Sequence, residues 1–233
     1  MPQSLPTVLV PGLTCTAALY GHQIDVLWPY GPVTVADHRR DDDVAAIAAR
    51  ILADAPPRFA LCGLSMGGYI AFAMMRQAPE RIVKLALMDT SARPDTPEQT
   101  AARKTQIAMA QSGRYAEIPE QAIPRYLNAK NQRDERFTSI VRRMAMQTGP
   151  EAYMRQLKAI MSRPDSRPLL ASIKCPTMVL VGDSDISTPP EVNKEIAEGI
   201  AGATLTIVPD CAHLSTLEQP EAVNAALIQW LNR

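Results

Sequence analysis

Six short apolar runs, rich in β-branched residues, recur along the chain: 7–10 (TVLV), 33–36 (VTVA), 59–62 (FALC), 83–88 (VKLALM), 177–181 (TMVLV) and 204–208 (TLTIV). Several are almost entirely apolar, the pattern of strands buried on both faces. Stretches of helical periodicity lie between them. Asp43 stands where an N-cap would open a helix over 44–54, which Pro56 and Pro57 end. Residues 66–77 are small or apolar on most sides, as in a buried helix. Pro220 stands at a helix start, and Val223, Ala226, Leu227 and Trp230 follow at helical spacing over 221–231. Strands alternating with helices predict an α/β fold: a mostly parallel sheet of about six strands, covered by helices.

The alternation stops over 93–171. That stretch reads as several amphipathic helices interrupted at Gly113, Pro119, Pro124, Gly149-Pro150 and Pro164. It divides the chain into an α/β core of residues 1–92 and 172–233 and a helical cap, or lid, at 93–171, inserted before the strand at 177–181. Long insertions in such folds commonly cover sites. Met109, Met144, Met146, Met154 and Met161 lie in it, side chains that either fill its core or adapt to varied ligands. Arg103, Arg114, Arg125, Arg133, Arg142, Arg143, Arg155 and Arg163 lie there too. Most of these read as solvated surface, and any one of them would suit a substrate carboxylate or phosphate.

Composition narrows the function. In 233 residues, 24 Lys+Arg balance 24 Asp+Glu, which argues against a nucleic-acid partner. Apolar residues make up 46% and charged residues 21%, an ordinary globular balance. No window approaches the roughly 20 apolar residues of a membrane span. The N-terminal MPQSLPTVLVPGL, with Pro2 and Pro6, lacks the basic region of an export signal. Cys15, Cys62, Cys175 and Cys211 are far apart and form no CxxC, which predicts reduced thiols in a cytoplasmic protein. Asp41-Asp42-Asp43 reads as a solvated loop and helix cap rather than a metal site, and no HExxH or Cys/His cluster is present.

The sharpest chemical signal is Gly63-Leu64-Ser65-Met66-Gly67-Gly68, between the strand at 59–62 and the helix at 66–77. This is a G-x-S-x-G nucleophile elbow in the strand–turn–helix context it requires. The serine sits on a tight, strained turn, Gly63 and Gly67 remove side chains that would collide with backbone, and Gly68 lets the helix pack close. A serine hydroxyl needs a base, and the base needs an orienting acid. His22 falls in an early helix and His38 in a polar HRRDDD stretch. His213 lies just beyond the last strand, on the sheet edge that carries Ser65. Asp183 and Asp185 follow the strand at 177–181, and Asp89 follows the strand at 83–88. Asp185 is favoured, because a turn must precede the swing of a carboxylate under the imidazole. Asp183 would then brace that turn, and Asp89 stays open as a third candidate.

With these residues in the chain order Ser65, Asp185, His213, and with the phrases GLSMGGYIAFAMMRQAPERI and HLSTLEQPEAV, the chain resembles α/β-hydrolase-fold serine hydrolases along nearly its whole length. It is most similar to small cytoplasmic carboxylesterases, including the methyl esterase of biotin synthesis and enol-lactone hydrolases. The resemblance implies that the fold starts at the family's third strand and that the family's Gly-x-x-Asp falls on Gly182 to Asp185. The family's His-Gly after its third strand is Pro11-Gly12 here, followed by Leu13 and Thr14. Backbone N–H groups of Leu13 and Met66 would form the oxyanion hole, with Thr14 and Cys15 bordering the pocket. The implied activity is cleavage of a carboxylic ester or lactone of a small, partly apolar substrate through an acyl-enzyme, with no metal or cofactor. The same triad also serves acyl transfer, C–C cleavage or cofactor-free perhydrolysis, and a non-catalytic ligand receptor on this fold is the remaining alternative.

Overall fold

The structure, a computed structural model, describes residues 4–233; Pro2, part of the N-terminal reading, lies outside them. Six strands form one sheet: β1 (Thr7–Val10), β2 (Val33–Val35), β3 (Phe59–Leu64), β4 (Ile82–Met88), β5 (Thr177–Gly182) and β6 (Thr204–Val208). Their order is β2-β1-β3-β4-β5-β6, and every neighbouring pair is parallel. The strands fall on the apolar runs, with differences at their ends. β3 continues through Gly63 and Leu64, which still pair with Leu87 and Met88. β5 continues through Gly182, which pairs with Val208. The chain therefore leaves the sheet directly at Ser65 and at Asp183.

Helices α1 (Gly21–Leu27), α2 (Val44–Asp54) and α3 (Met66–Gln77) precede β4. Between β4 and β5 the chain runs through α4 (Pro97–Gln111), α5 (Ile118–Tyr126), α6 (Glu135–Thr148), α7 (Pro150–Ser162) and the single turn α8 (Arg167–Leu170). Helices α9 (Pro190–Gly199), α10 (Ser215–Glu218) and α11 (Pro220–Leu231) complete the order. Alternate strand residues face opposite layers. Val8, Val10, Phe59, Leu61, Leu85, Leu87 and Val179 pack with α2, α3 and α9. Leu9, Ala60, Cys62, Ala86, Met88, Met178 and Leu180 pack with α1 and α11. Both faces are covered, so the strands carry little polar alternation. Trp230 of α11 is buried, and its indole N–H donates to the Pro176 carbonyl at 3.1 Å, so the ring enters the core with its polar atom satisfied.

Local signals account for the helix ends. The Asp43 carboxylate accepts the N–H groups of Ala45 and Ala46, capping α2. Asp41 pairs with Arg50 and Asp42 with Lys158, so each member of the acidic run has a partner in a loop and cap. Thr96 and Gln99 form a reciprocal capping box at α4. Pro119 occupies the first turn of α5, where its missing N–H leaves nothing unpaired. Pro124, expected as a break, lies inside α5, in its last turn, and the helix ends two residues later.

Close approach at the end of β5 explains Gly182. A Cβ there would run into the carbonyls of Cys211 and Ala212, so the glycine lets the loop bearing His213 cross directly over the strand end. Gly182→Ala is expected to lower stability in urea denaturation by about 1–3 kcal/mol, the usual cost of overpacking. Gly21→Ala, at a position with open space around it, should stay within about 0.5 kcal/mol of the parent.

Candidate active site

Ser65 joins β3 to α3 with φ 56° and ψ −116°, a conformation L-residues rarely adopt. Its glycine neighbours permit this turn. A Cβ on Gly63 would strike the backbone of Gly67 and Gly68, and one on Gly67 would strike the Val10 carbonyl. Ser65 N–H donates to the Met88 carbonyl at 2.9 Å. Held in this way, Ser65 Oγ lies 2.8 Å from His213 Nε2, and His213 Nδ1 lies 2.8 Å from Asp185 Oδ2. His213 is 3% exposed and Asp185 2%. Asp185 Oδ1 accepts the N–H groups of Ser187 (2.7 Å) and Thr188 (3.0 Å), and Oδ2 accepts the Thr188 hydroxyl at 2.7 Å. The carboxylate is thereby fixed in one orientation under the imidazole.

The loop after β1 lies against this group: a Cβ on Gly12 would stand 3.3 Å from Ser65 Cβ. The backbone N–H groups of Leu13 and Met66 have no hydrogen-bond partner among the described residues. The loop is tied from two sides. His38 Nε2 lies 3.0 Å from the Gly12 carbonyl and 3.1 Å from Gln156 Nε2, and Gln156 Oε1 accepts the Thr14 N–H at 3.1 Å. Thr14 takes φ 59° there. A cavity of about 380 Å³ opens onto Ser65 and His213 and is lined by residues of α4, α5 and α7. Thr14 lines it and no methionine does among the described residues, so the methionines between β4 and β5 are not its walls. Cys15 is buried, and burial pushes its thiol up to about 12.

A model of the alpha/beta hydrolase family matches residues 8–226. The chain belongs to the alpha/beta hydrolase family. It is 27% identical over 213 residues to the pimeloyl-acyl-carrier-protein methyl ester esterase of Neisseria meningitidis serogroup B, covering 87% of this chain and 82% of that protein. Its structure is similar to a thermophilic esterase from Thermogutta terrifontis, with a TM-score of 0.89 and 31% identity over 98% of this chain and 89% of that one. It is also similar to the enol-lactonase from Burkholderia xenovorans LB400, with a TM-score of 0.89 and 25% identity over 99% of this chain and 92% of the enol-lactonase.

Within this alpha/beta hydrolase, the sequence-derived candidates divide clearly. Ser65, Asp185 and His213 converge, with Leu13 and Met66 beside them. His22 lies exposed in α1. Asp183 accepts the Asp210 and Cys211 N–H groups, bracing the two edge loops against each other. Asp89 makes no hydrogen bond to His213; its oxygens accept the Gly182 N–H at 3.0 Å and the Ser215 hydroxyl at 2.5 Å. His38, expected in a polar stretch, is buried instead. Thr188 and Gln156 were missed as candidates, and His38 was weighed only as a base, not as a tie to the Gly12 loop. The three-residue spacing of Asp185 and Thr188, which is that of a side-chain-capped turn, is the local signal for the first. No local signal exists for the other two.

Electrostatics separate the two buried acids. Burial opposes the charge on Asp185, but His213 beside it and the Thr188 bonds outweigh burial and hold the carboxyl below its usual range. Burial pushes Asp89 up, with the Asp185 charge adding to it, to about 8. Burial by itself would lower His213, and Asp185 reverses this, raising it above 6.5. In an NMR titration of the ring, His213 is expected to protonate above pH 6.5. In Asp185→Asn the largest influence raising His213 is lost, and the midpoint should fall. In Asp89→Asn it should shift by a smaller amount, because no hydrogen bond is lost.

Proposed function

We propose that this protein is a serine hydrolase that cleaves a carboxylic ester or lactone of a small, partly apolar substrate. The observation that carries the reading is the continuous relay from Ser65 Oγ through His213 to Asp185, each contact 2.8 Å, at the floor of a cavity. Likeness to an esterase and an enol-lactonase supports the same reading. Residues 93–171 serve as the cap over the site, and the core is 1–92 with 172–233. All four cysteines are free thiols, which supports a reducing, cytoplasmic setting. No described helix is long and apolar enough to cross a membrane.

In this reading Ser65 Oγ attacks the carbonyl carbon as His213 Nε2 takes the hydroxyl proton. The carbonyl oxygen becomes an oxyanion and accepts from the Leu13 and Met66 N–H groups, which no other group among the described residues engages. Asp185 stabilises the imidazolium and keeps Nδ1 protonated throughout. The tetrahedral intermediate collapses, the C–O bond to the alcohol breaks, and His213 returns the proton to the leaving oxygen. A water then attacks the acyl-enzyme and gives its proton to His213, and Ser65 leaves reprotonated.

Hydrolysis of p-nitrophenyl esters from acetate to decanoate tests this directly. The parent should turn over the series with an optimum set by the cavity, and Ser65→Ala should lose about 10⁴-fold or more of kcat. Activity that survives in Ser65→Ala overturns the assignment. Because His213 must be neutral to accept the proton, and Asp185 raises its protonation above 6.5, kcat/KM should fall on the acid side with a midpoint above pH 6.5.

A further inference from the structure

The charge around the cavity is one-sided. Arg93, Arg103, Arg125 and Arg163 line it, and no aspartate or glutamate does among the described residues. This is local, because the whole chain is balanced at 24 cationic and 24 anionic side chains. Elsewhere between β4 and β5, Arg114 pairs with Glu117, Arg136 with Asp134, and Arg142 with Glu120 and Glu135, while Arg133, Arg143 and Arg155, none of which lines the cavity, make no ion pair among the described residues. At the cavity the pairing falls short. Arg93 is matched by Glu195 at 2.8 Å. Arg103 and Arg163 share a single carboxylate, Asp95, at 2.6 and 2.7 Å, with the Asp95 side chain only 3% exposed. Arg125 makes no ion pair among the described residues.

The two arginines on Asp95 are not equivalent. Arg163 is fully engaged: it donates to the carbonyls of Arg93 and Ile160 and lies 4.2 Å over the Tyr69 ring. It ties α7 to the start of α4 and leaves little for a ligand. Arg103 gives Nε and Nη2 to Asp95, and its Nη1 has no partner among the described residues. Arg103 and Arg125 both act electrostatically on Tyr126, whose ring lies 5.3 Å from that of His213. Tyr69, Tyr126 and Tyr153 also line the cavity, and their hydroxyls have no protein partner among the described residues. The site thus offers a free guanidinium edge, a second guanidinium at the rim and neutral O–H donors.

Arg103 is half-buried and shares its counter-charge with Arg163, so an anion at its free edge completes its pairing. A guanidinium edge with adjacent hydroxyl donors matches a planar, singly charged carboxylate better than a dianionic phosphate, which calls for more cations. We propose that the substrate carries a free carboxylate, held by Arg103 and Arg125, in addition to the ester or lactone carbonyl placed at Ser65. The substrate class is then half-esters of dicarboxylic acids, or lactones bearing a carboxylate. The proposal rests on the serine-hydrolase reading for the bond that is cut, and on the arginines alone for the anion.

The test compares monomethyl esters of dicarboxylic acids from succinate to suberate with methyl esters of the monocarboxylic acids of equal length. One half-ester chain length should exceed its neutral counterpart in kcat/KM by about tenfold or more. Arg125 is exposed, so Arg125→Gln leaves the core untouched, and it should collapse that preference mainly through KM. Binding is read separately by calorimetry on Ser65→Ala, which does not depend on turnover. There the preferred half-ester should bind, with a Kd raised about tenfold in Ser65→Ala/Arg125→Gln. Neutral esters turned over as well as half-esters, together with no half-ester binding to Ser65→Ala, would overturn the carboxylate site and leave the hydrolase reading standing. Half-ester binding to Ser65→Ala without turnover by the parent would support the carboxylate site and overturn the hydrolase reading.

Discussion

The end of β4 is the point on which the site depends. Three consecutive residues there reach every loop that carries a proposed triad member. The Met88 carbonyl accepts the Ser65 N–H, and the Thr90 hydroxyl donates to the Ser65 carbonyl at 2.8 Å, so the strained elbow is gripped from both sides. Asp89 donates its N–H to Leu180 and takes the Gly182 N–H and the Ser215 hydroxyl, joining the acid-bearing strand end to the segment just after His213. Thr90 N–H donates to Asn193, whose amide in turn donates to the Thr188 carbonyl, beside the turn that orients Asp185. Positive φ at Ser65 and at Asp89 is the cost of converging here. The parallel sheet supplies the convergence, because all its strands end on one edge.

What could be read from the residues follows from how local each constraint is. The elbow was legible because backbone collisions demand glycine at fixed offsets from Ser65, all within six residues. The strands were legible because double-sided burial makes them apolar runs; their ends differed where pairing continued through Gly63, Leu64 and Gly182, and by one residue at Ala36 and Ile82. The choice between Asp185 and Asp89 could be ordered by turn geometry, but both carboxylates lie on the same edge. Only their hydrogen-bond partners distinguish them. His38 stood among arginines and aspartates and looked solvated. Its partners, Gly12 and Gln156, are 26 and 118 residues away, so nothing near it in the chain marks it as buried. Pro124 looked like a break because its place in the last turn of α5 depends on where the helix begins.

Charge is organised in two tiers. Behind the cavity, Asp89, Asp185 and His213 are buried together, and the ion pair of Asp185 with His213 outweighs desolvation of both while Asp89 is driven toward its neutral form. In front of it, arginines outnumber their carboxylates. An imidazolium that forms at His213 is therefore stabilised from behind and not from the front.

The missing histidine before Gly12 has a counterpart brought in from elsewhere. His38 holds the Gly12 carbonyl, and Gln156 of α7 holds the Thr14 N–H, so the loop beside Ser65 is suspended between the sheet and a helix that also roofs the cavity. Moving α7 outward far enough to widen the entrance breaks the Thr14 bond and leaves a backbone donor unpaired. The width of the doorway and the shape of the loop facing Ser65 are thus one degree of freedom rather than two. Through Gln156, the placement of α7 and the conformation of the loop beside Ser65 are set together.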